Sequence, residues 1–137
     1  ENEGTADGAA MILGIGTDIV ALARIDALHR QYGERFARRV LSAGEMGEFA
    51  THASPARLLM KRFAAKEALA KATGNGMRSP VSLSQIGVTH DALGKPVFEF
   101  GVELAAYLNK LGVRHHHLSI SDERDVAVAF VILEGEG

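Results

Sequence analysis

The chain has 137 residues, with 15 basic and 17 acidic side chains and no cysteine. Disulfides and thiolate metal sites are thereby excluded, and a net charge near zero gives no global field toward nucleic acid or an anionic membrane. No apolar run approaches the ~20 residues of a membrane-spanning helix, so a soluble, cytoplasmic, single-domain protein is expected.

Residues 1–10 contain no large apolar side chain, whereas Met11 is followed at once by Ile-Leu-Gly-Ile-Gly. The first ten residues are therefore expected to be an expression remnant or a disordered tail, with one domain over 11–137. Residues 12–17 predict a short strand. Leu13, Ile15, Thr17 and Ile19 fall on one face, and Ile12, Gly14, Gly16 and Asp18 on the other. Glycines on that second face admit the close approach of another backbone or of a ligand. The spacing of Leu22, Ile25 and Leu28 predicts a helix over 20–31, ended by Gly33. A short helix over 34–41 follows. Ser42 with Glu45 three residues on has the pattern of a capping box, so a third helix starts there. Ser54-Pro55 places a capping serine before a proline at the first helical position, opening a long helix that runs to about Thr73 and stops at Gly74.

The second half changes character. Strands are predicted over 85–89 and 96–100, then a helix over 102–111, then a strand pair over 116–121 and 125–133. In the last strand Val126, Val128, Phe130 and Ile132 alternate with Ala127, Ala129, Val131 and Leu133. Both faces are apolar and both should be covered, with another subunit as one source of the second cover. The pattern gives an α+β fold, a small antiparallel sheet packed with one long and several short helices.

The long helix carries the chemistry. A surface helix collects its charges on one side, but here Arg62 falls beside Leu69 on the helical wheel and Glu67 lies close to Phe63. One reading is ordinary neighbours on a solvated surface, of which Glu67 and Lys71 form an opposite-charge pair. The other is a site. Asp18 ends the glycine-lined strand and Glu67 projects from an enclosed helix. Two carboxylates brought together repel unless a cation sits between them. Oxygen ligands with water suit Mg²⁺, and Arg62, Lys66 and Lys71 would then serve a phosphorylated ligand.

These segments also occur together in a known order. Gly14-Ile-Gly-Thr-Asp18-Ile-Val20 with Arg24-Ile25, Arg62-Phe-Ala-Ala-Lys66-Glu67-Ala68 with Lys71-Ala72 and Gly74-x-Gly76, Gly94-Lys95-Pro96 and Leu118-Ser-Ile-Ser121 closely resemble the holo-acyl-carrier-protein synthase family. This is the short bacterial group of 4′-phosphopantetheinyl transferases, and the likeness spans Met11 to Glu134. The resemblance implies transfer of 4′-phosphopantetheine from coenzyme A to a serine of an apo acyl carrier protein, in support of fatty acid biosynthesis. It implies Mg²⁺ on Asp18 and Glu67, coenzyme A phosphates near Lys66 and Lys71 with Arg62 close by, Gly74 and Gly76 in the same motif, and a homotrimer with sites at subunit interfaces. One position departs from the family. A histidine often follows the Leu-Ser-Ile-Ser stretch, and here it is Asp122, which would repel a phosphate; His117 upstream is the weaker substitute. Arg24, Arg30, Arg35, Arg38 and Arg39 crowd a region with few acids and suit an acidic carrier protein. His115, His116 and His117 cannot all face one way on a strand and make a poor metal site. Two other classes compete: a non-catalytic coenzyme A- or nucleotide-binding module, and a Mg²⁺-dependent phosphohydrolase using the same two carboxylates.

Overall fold

The computed structural model describes residues 10–136. Of the expected tail only Ala10 lies within them, and it opens β1 (Ala10–Ala21). This strand is longer than the predicted 12–17. It pairs antiparallel with β5 (Val126–Glu136) from Ala10 opposite Glu136 to Ala21 opposite Val126. The register shifts between Ile12 and Gly14, and Ile12, expected on the glycine face, is 56% exposed beyond that bulge.

Because β1 runs through Ala21, the first helix starts two residues later than predicted. It is α1 (Leu22–Tyr32), and the Leu22 N–H donates to the Asp125 carbonyl at 2.8 Å. α2 (Glu34–Val40) and α3 (Ala43–Thr51) follow. At the start of α3 the Ser42 N–H donates to Glu45 Oε1 at 2.8 Å, one half of the expected capping box. The long helix α4 spans Pro55–Thr73 and ends on Gly74, whose φ of 79° is the left-handed conformation of a helix stop. Its start differs in detail from expectation. The Ser54 hydroxyl makes no capping bond, and the backbone carbonyl of Ser54 takes the Leu58 N–H instead.

A single 3₁₀ turn, Leu83–Gln85, leads into the hairpin of β2 (Ile86–His90) and β3 (Pro96–Phe100). α5 (Val102–Lys110) then precedes β4 (Val113–Asp122), which begins three residues before its predicted start. The main sheet is antiparallel in the order β1-β5-β4, with β2-β3 as a second, two-stranded sheet. The α+β reading, with a small antiparallel sheet, one long helix and several short ones, is what the chain forms.

α4 lies across the main sheet. A Cβ on Gly14 would sit 1.9 Å from the Ala72 carbonyl oxygen, and one on Gly16 1.9 Å from that of Ala68. The glycine face of β1 thus receives a helix backbone. Ala127, Ala129, Val131 and Leu133 of β5 are buried on the same side. On the other side Ile15, Ile19, Val128 and Phe130 are 54%, 67%, 37% and 43% exposed. The expected double cover of β5 is met on one face within this chain. No described helix is long and apolar enough to cross a membrane.

Candidate active site

The close approach of β1 to α4 decides where the carboxylates go. Gly14 and Gly16 let the strand lie against the helix, and this brings the far end of β1 beside the turn carrying Glu67 and Lys71. Lys71 Nζ donates to Asp18 Oδ1 and to the Thr17 carbonyl, both at 3.0 Å. The Asp18 side chain is only 16% exposed. Partial burial first, and then the neighbouring Asp18 charge, push the Glu67 carboxyl above the usual carboxylate range, while Lys71 and Arg24 oppose that rise. Arg24, from α1, is held over the Phe63 ring, 5.4 Å from its centre. Asp18, Glu67, Lys71 and Arg24 therefore share one electrostatic neighbourhood, fed by three elements.

Two like charges in one partly enclosed place are a cost that a cation would relieve. Among the described residues no three His, Cys, Asp or Glu side chains gather into a metal-holding set. A carboxylate pair with an open side fits a hard divalent ion that completes its shell with water and phosphate oxygens, and does not fit a metal needing a full protein cage. Glu67 also lines a cleft of about 550 Å³ together with Arg38 and Arg39 of α2 and Ser82, Leu83 and Ser84 around the 3₁₀ turn. Two guanidinium groups and two hydroxyls in one cleft suit a polyanionic ligand, although Arg38 also pairs with Glu34 along α2.

Two proposed phosphate ligands are corrected. Lys66 is fully buried and Arg62 is 2% exposed. Lys66 Nζ donates to the Val40 carbonyl at 2.7 Å, to Glu45 Oε1 at 2.7 Å and to the Leu83 carbonyl at 3.1 Å, which uses all three of its hydrogens. Burial pulls its pKa below the ordinary lysine range, and Glu45 works against that. Arg62 faces Glu45 Oε2 at 3.3 Å and Glu48 Oε1 at 2.8 Å. Both cations point into the protein because the α4 face that bears them packs against α2, α3 and the 3₁₀ turn, so neither reaches a surface phosphate.

The remaining candidates are dispersed. Gly74 and Gly76 close α4, both at positive φ and with open space where a Cβ would stand. His117, on β4, meets Glu134 Oε1 at 3.2 Å and lines a different cleft with Lys95 and Ser119. Arg30 pairs with Asp26 along α1. Arg35 and Arg39 edge a cleft of about 400 Å³ whose floor is Leu28, Tyr32 and Phe36.

Sequence reasoning missed Glu45 as more than a helix cap. Its carboxylate also accepts the Val88 N–H at 2.9 Å and neutralises Lys66 and Arg62. The clue was the pair of cations on an otherwise enclosed helix, which require an acid from elsewhere in the chain. Asp122 is explained too: it pairs with Arg57 at 2.9 Å, and Arg57 also donates to the carbonyls of Glu123 and Arg124, tying the β4–β5 turn to α4.

Known proteins resemble this chain over most of its length. A family model described as the 4′-phosphopantetheinyl transferase superfamily matches residues 14–131. A holo-(acyl-carrier-protein) synthase of Nitrosospira multiformis is 61% identical over 124 residues, covering 90% of this chain and 99% of that protein. The crystal structure of holo-(acyl-carrier-protein) synthase from Neisseria meningitidis superposes with a TM-score of 0.88 at 50% identity, over 90% of this chain and 98% of that one. A holo-(acyl-carrier-protein) synthase of Bacillus anthracis in complex with CoA (3′,5′-ADP) has a TM-score of 0.76 at 35% identity, over 92% of this chain and 99% of that one. The chain belongs to the 4′-phosphopantetheinyl transferase superfamily.

Proposed function

We propose that this chain transfers 4′-phosphopantetheine from coenzyme A to a serine of an apo acyl carrier protein, with Mg²⁺ held by Asp18 and Glu67. The observation that carries the reading is the Glu67 carboxyl, raised by burial and by the Asp18 charge at the mouth of a cleft edged by Arg38 and Arg39. Bound there, Mg²⁺ would neutralise charge on the coenzyme A diphosphate. Lys71 already donates to Asp18 and to the Thr17 carbonyl and is half exposed, so its third hydrogen is free to donate to a non-bridging phosphate oxygen. Arg38 and Arg39 hold the far phosphates, and the hydroxyls of Ser82 and Ser84 line the same cleft. The carrier serine oxygen attacks the β-phosphorus. The new Ser–O–P bond forms as the bond from β-phosphorus to the bridging oxygen breaks, and adenosine 3′,5′-bisphosphate leaves with that electron pair. The serine proton passes to solvent water at the open side of the cleft, because a Glu67 carboxylate shared with a divalent cation is too weak a base to take it. Gly74, Gly76 and His117 stay secondary candidates for coenzyme A contact.

The acidic partner has a surface to meet. The cleft with Leu28, Tyr32 and Phe36 as floor and Arg35 and Arg39 as rim fits one face of an acidic amphipathic helix, and Arg24 and Arg30 stand on the adjoining α1. Homotrimeric assembly would cover Ile15, Ile19, Val128 and Phe130, the apolar outer face of the sheet. Sedimentation of a monomer at micromolar concentration would remove that support.

Intact mass of apo carrier protein incubated with coenzyme A, Mg²⁺ and this chain tests the whole reading. One phosphopantetheine increment is expected, dependent on Mg²⁺. An unchanged carrier with coenzyme A bound would instead mark a non-catalytic binding module. Phosphate release without an acceptor would mark a phosphohydrolase.

A further inference from the structure

The buried cluster of Lys66, Glu45 and Arg62 has no part in the reaction as described, and burying it is expensive. Two cations, Arg62 and Lys66, are set against Glu45 and the half-exposed Glu48. Buried ion pairs are often no more stabilising than apolar side chains of the same volume. A methionine at 66 would pack as well. What methionine lacks is the ion pair to Glu45 and, with it, the hydrogen bonds to the carbonyls of Val40 and Leu83.

Those two carbonyls are not ordinary core groups. Val40 is the last residue of α2, directly after Arg38 and Arg39, which line the Glu67 cleft. Leu83 stands between Ser82 and Ser84, which line the same cleft from a distant part of the chain. Lys66 itself is the residue before Glu67 on α4. One buried ammonium therefore ties the two segments that line the cleft to each other and to the helix bearing the carboxylate. Glu45 extends the grip, since it accepts the N–H groups of Ser42, just beyond α2, and of Val88 in β2.

We propose that Lys66 is a positioning residue: its buried bonds to Val40, Leu83 and Glu45 hold the two segments lining the cleft at the separation that a nucleotide diphosphate requires beside Glu67. The inference rests on the transferase reading for the identity of the ligand. Positioning at this distance matters because a displacement of about 1 Å at a reacting centre can cost on the order of a hundredfold in rate.

The test uses the full-length chain with Lys66→Met. Coenzyme A affinity is measured by calorimetry without carrier protein, and KM and kcat are measured with it. The expected result is at least about a tenfold weaker coenzyme A Kd and KM, with the KM for carrier protein within about twofold of wild type, because the α1–α2 cleft shares only Arg39 with the Glu67 cleft and is otherwise lined by Leu28, Tyr32, Arg35 and Phe36. A core role alone would lower the thermal midpoint and leave the coenzyme A constants of the folded fraction where they were, and that result overturns the proposal. Should Lys66→Met not fold, Lys66→Arg decides, since it keeps the charge against Glu45 but aims its planar donors differently. A folded Lys66→Arg with coenzyme A Kd weakened about fivefold or more supports positioning, and one with unchanged Kd overturns it. A wild-type chain that binds no coenzyme A defeats the transferase reading itself, whereas wild-type binding matched by the variant defeats only the role of Lys66.

Discussion

Lys66 and Lys71 stand little more than one turn apart on α4 and meet opposite surroundings. Lys66 is fully buried with every ammonium hydrogen committed. Lys71 is 54% exposed and reaches across to Asp18 and the Thr17 carbonyl at the end of β1. The difference teaches that the charge of a side chain says little about its task until its partners are known. A buried cation whose donors are all taken fixes the backbone around it. An exposed cation with a donor to spare, beside two carboxylates, can exchange partners with a ligand. The same division separates Glu45, saturated by N–H groups and cations, from Glu67, which has a raised pKa and a cleft in front of it.

The largest effect that would break this comparison belongs to the exposed pole. Asp18→Asn and Glu67→Gln are each expected to lower carrier-protein modification by on the order of a thousandfold, the scale of losing a major electrostatic element of a transition state. Thermal midpoints should move by only a few degrees, because the Asp18–Lys71 pair is partly solvated and worth at most about 1 kcal/mol. Intact mass of the carrier gives the first readout and calorimetry the second. Either variant working within tenfold of wild type would show that the carboxylate pair is not where the chemistry happens.

Next in size is the contact that builds the pair. Gly16→Ala drives a methyl group into the Ala68 carbonyl, a backbone atom that cannot swing aside. Overpacking of this kind costs about 3 kcal/mol, the upper part of the usual range. Urea denaturation should show the loss as a lower midpoint at similar slope. A loss under about 1 kcal/mol would mean that β1 and α4 separate easily, and that the position of Asp18 is less constrained than the geometry implies.

How much of this could be read in the sequence divides along the same line. The glycine pattern at 14 and 16, the helix stop at Gly74 and the cap at Ser42 are local signals, and each appears where its local physics puts it. The nearness of Asp18 to Glu67 was legible as a pair of carboxylates on elements that had to pack. The fate of Lys66 and Arg62 was not. Their acid, Glu45, lies on another helix, and its capping role already accounted for its presence there. A residue with two functions shows only the nearer one in sequence. The extra length of β1 and β4 was hidden for a related reason: strand ends are set by the partner's register, here that of β5, and not by their own residues.

A smaller effect sharpens the comparison through a buried polar atom with neither a hydrogen-bond partner nor a counter-charge; Arg62 Nε also lacks a hydrogen bond but stands 3.3 Å from Glu45 Oε2. His116 Nδ1 is buried and has no hydrogen-bond partner, and its ring sits edge-on to Phe98 and Phe100 at 5.5 and 5.2 Å between centres. Desolvation first, then the charges of His117, His115 and Lys95, lower its pKa from the ordinary 6.5. Folding therefore favours the neutral ring. As pH falls through about 6.5 the unfolded chain takes up a proton that the folded chain refuses, so this residue's contribution to stability declines until the folded pKa is passed and then levels off. His116→Phe keeps the aromatic packing and removes both the orphaned nitrogen and the titration. Its thermal midpoint should match or slightly exceed wild type near neutral pH, and the gap should widen by a few degrees at most toward pH 5. A gap that stays constant from pH 8 to 5 would show that His116 gains a proton as readily folded as unfolded. In that event the aromatic contact between β3 and β4 would have to be open to water, and the contrast with the sealed Lys66 cluster would lose its second half.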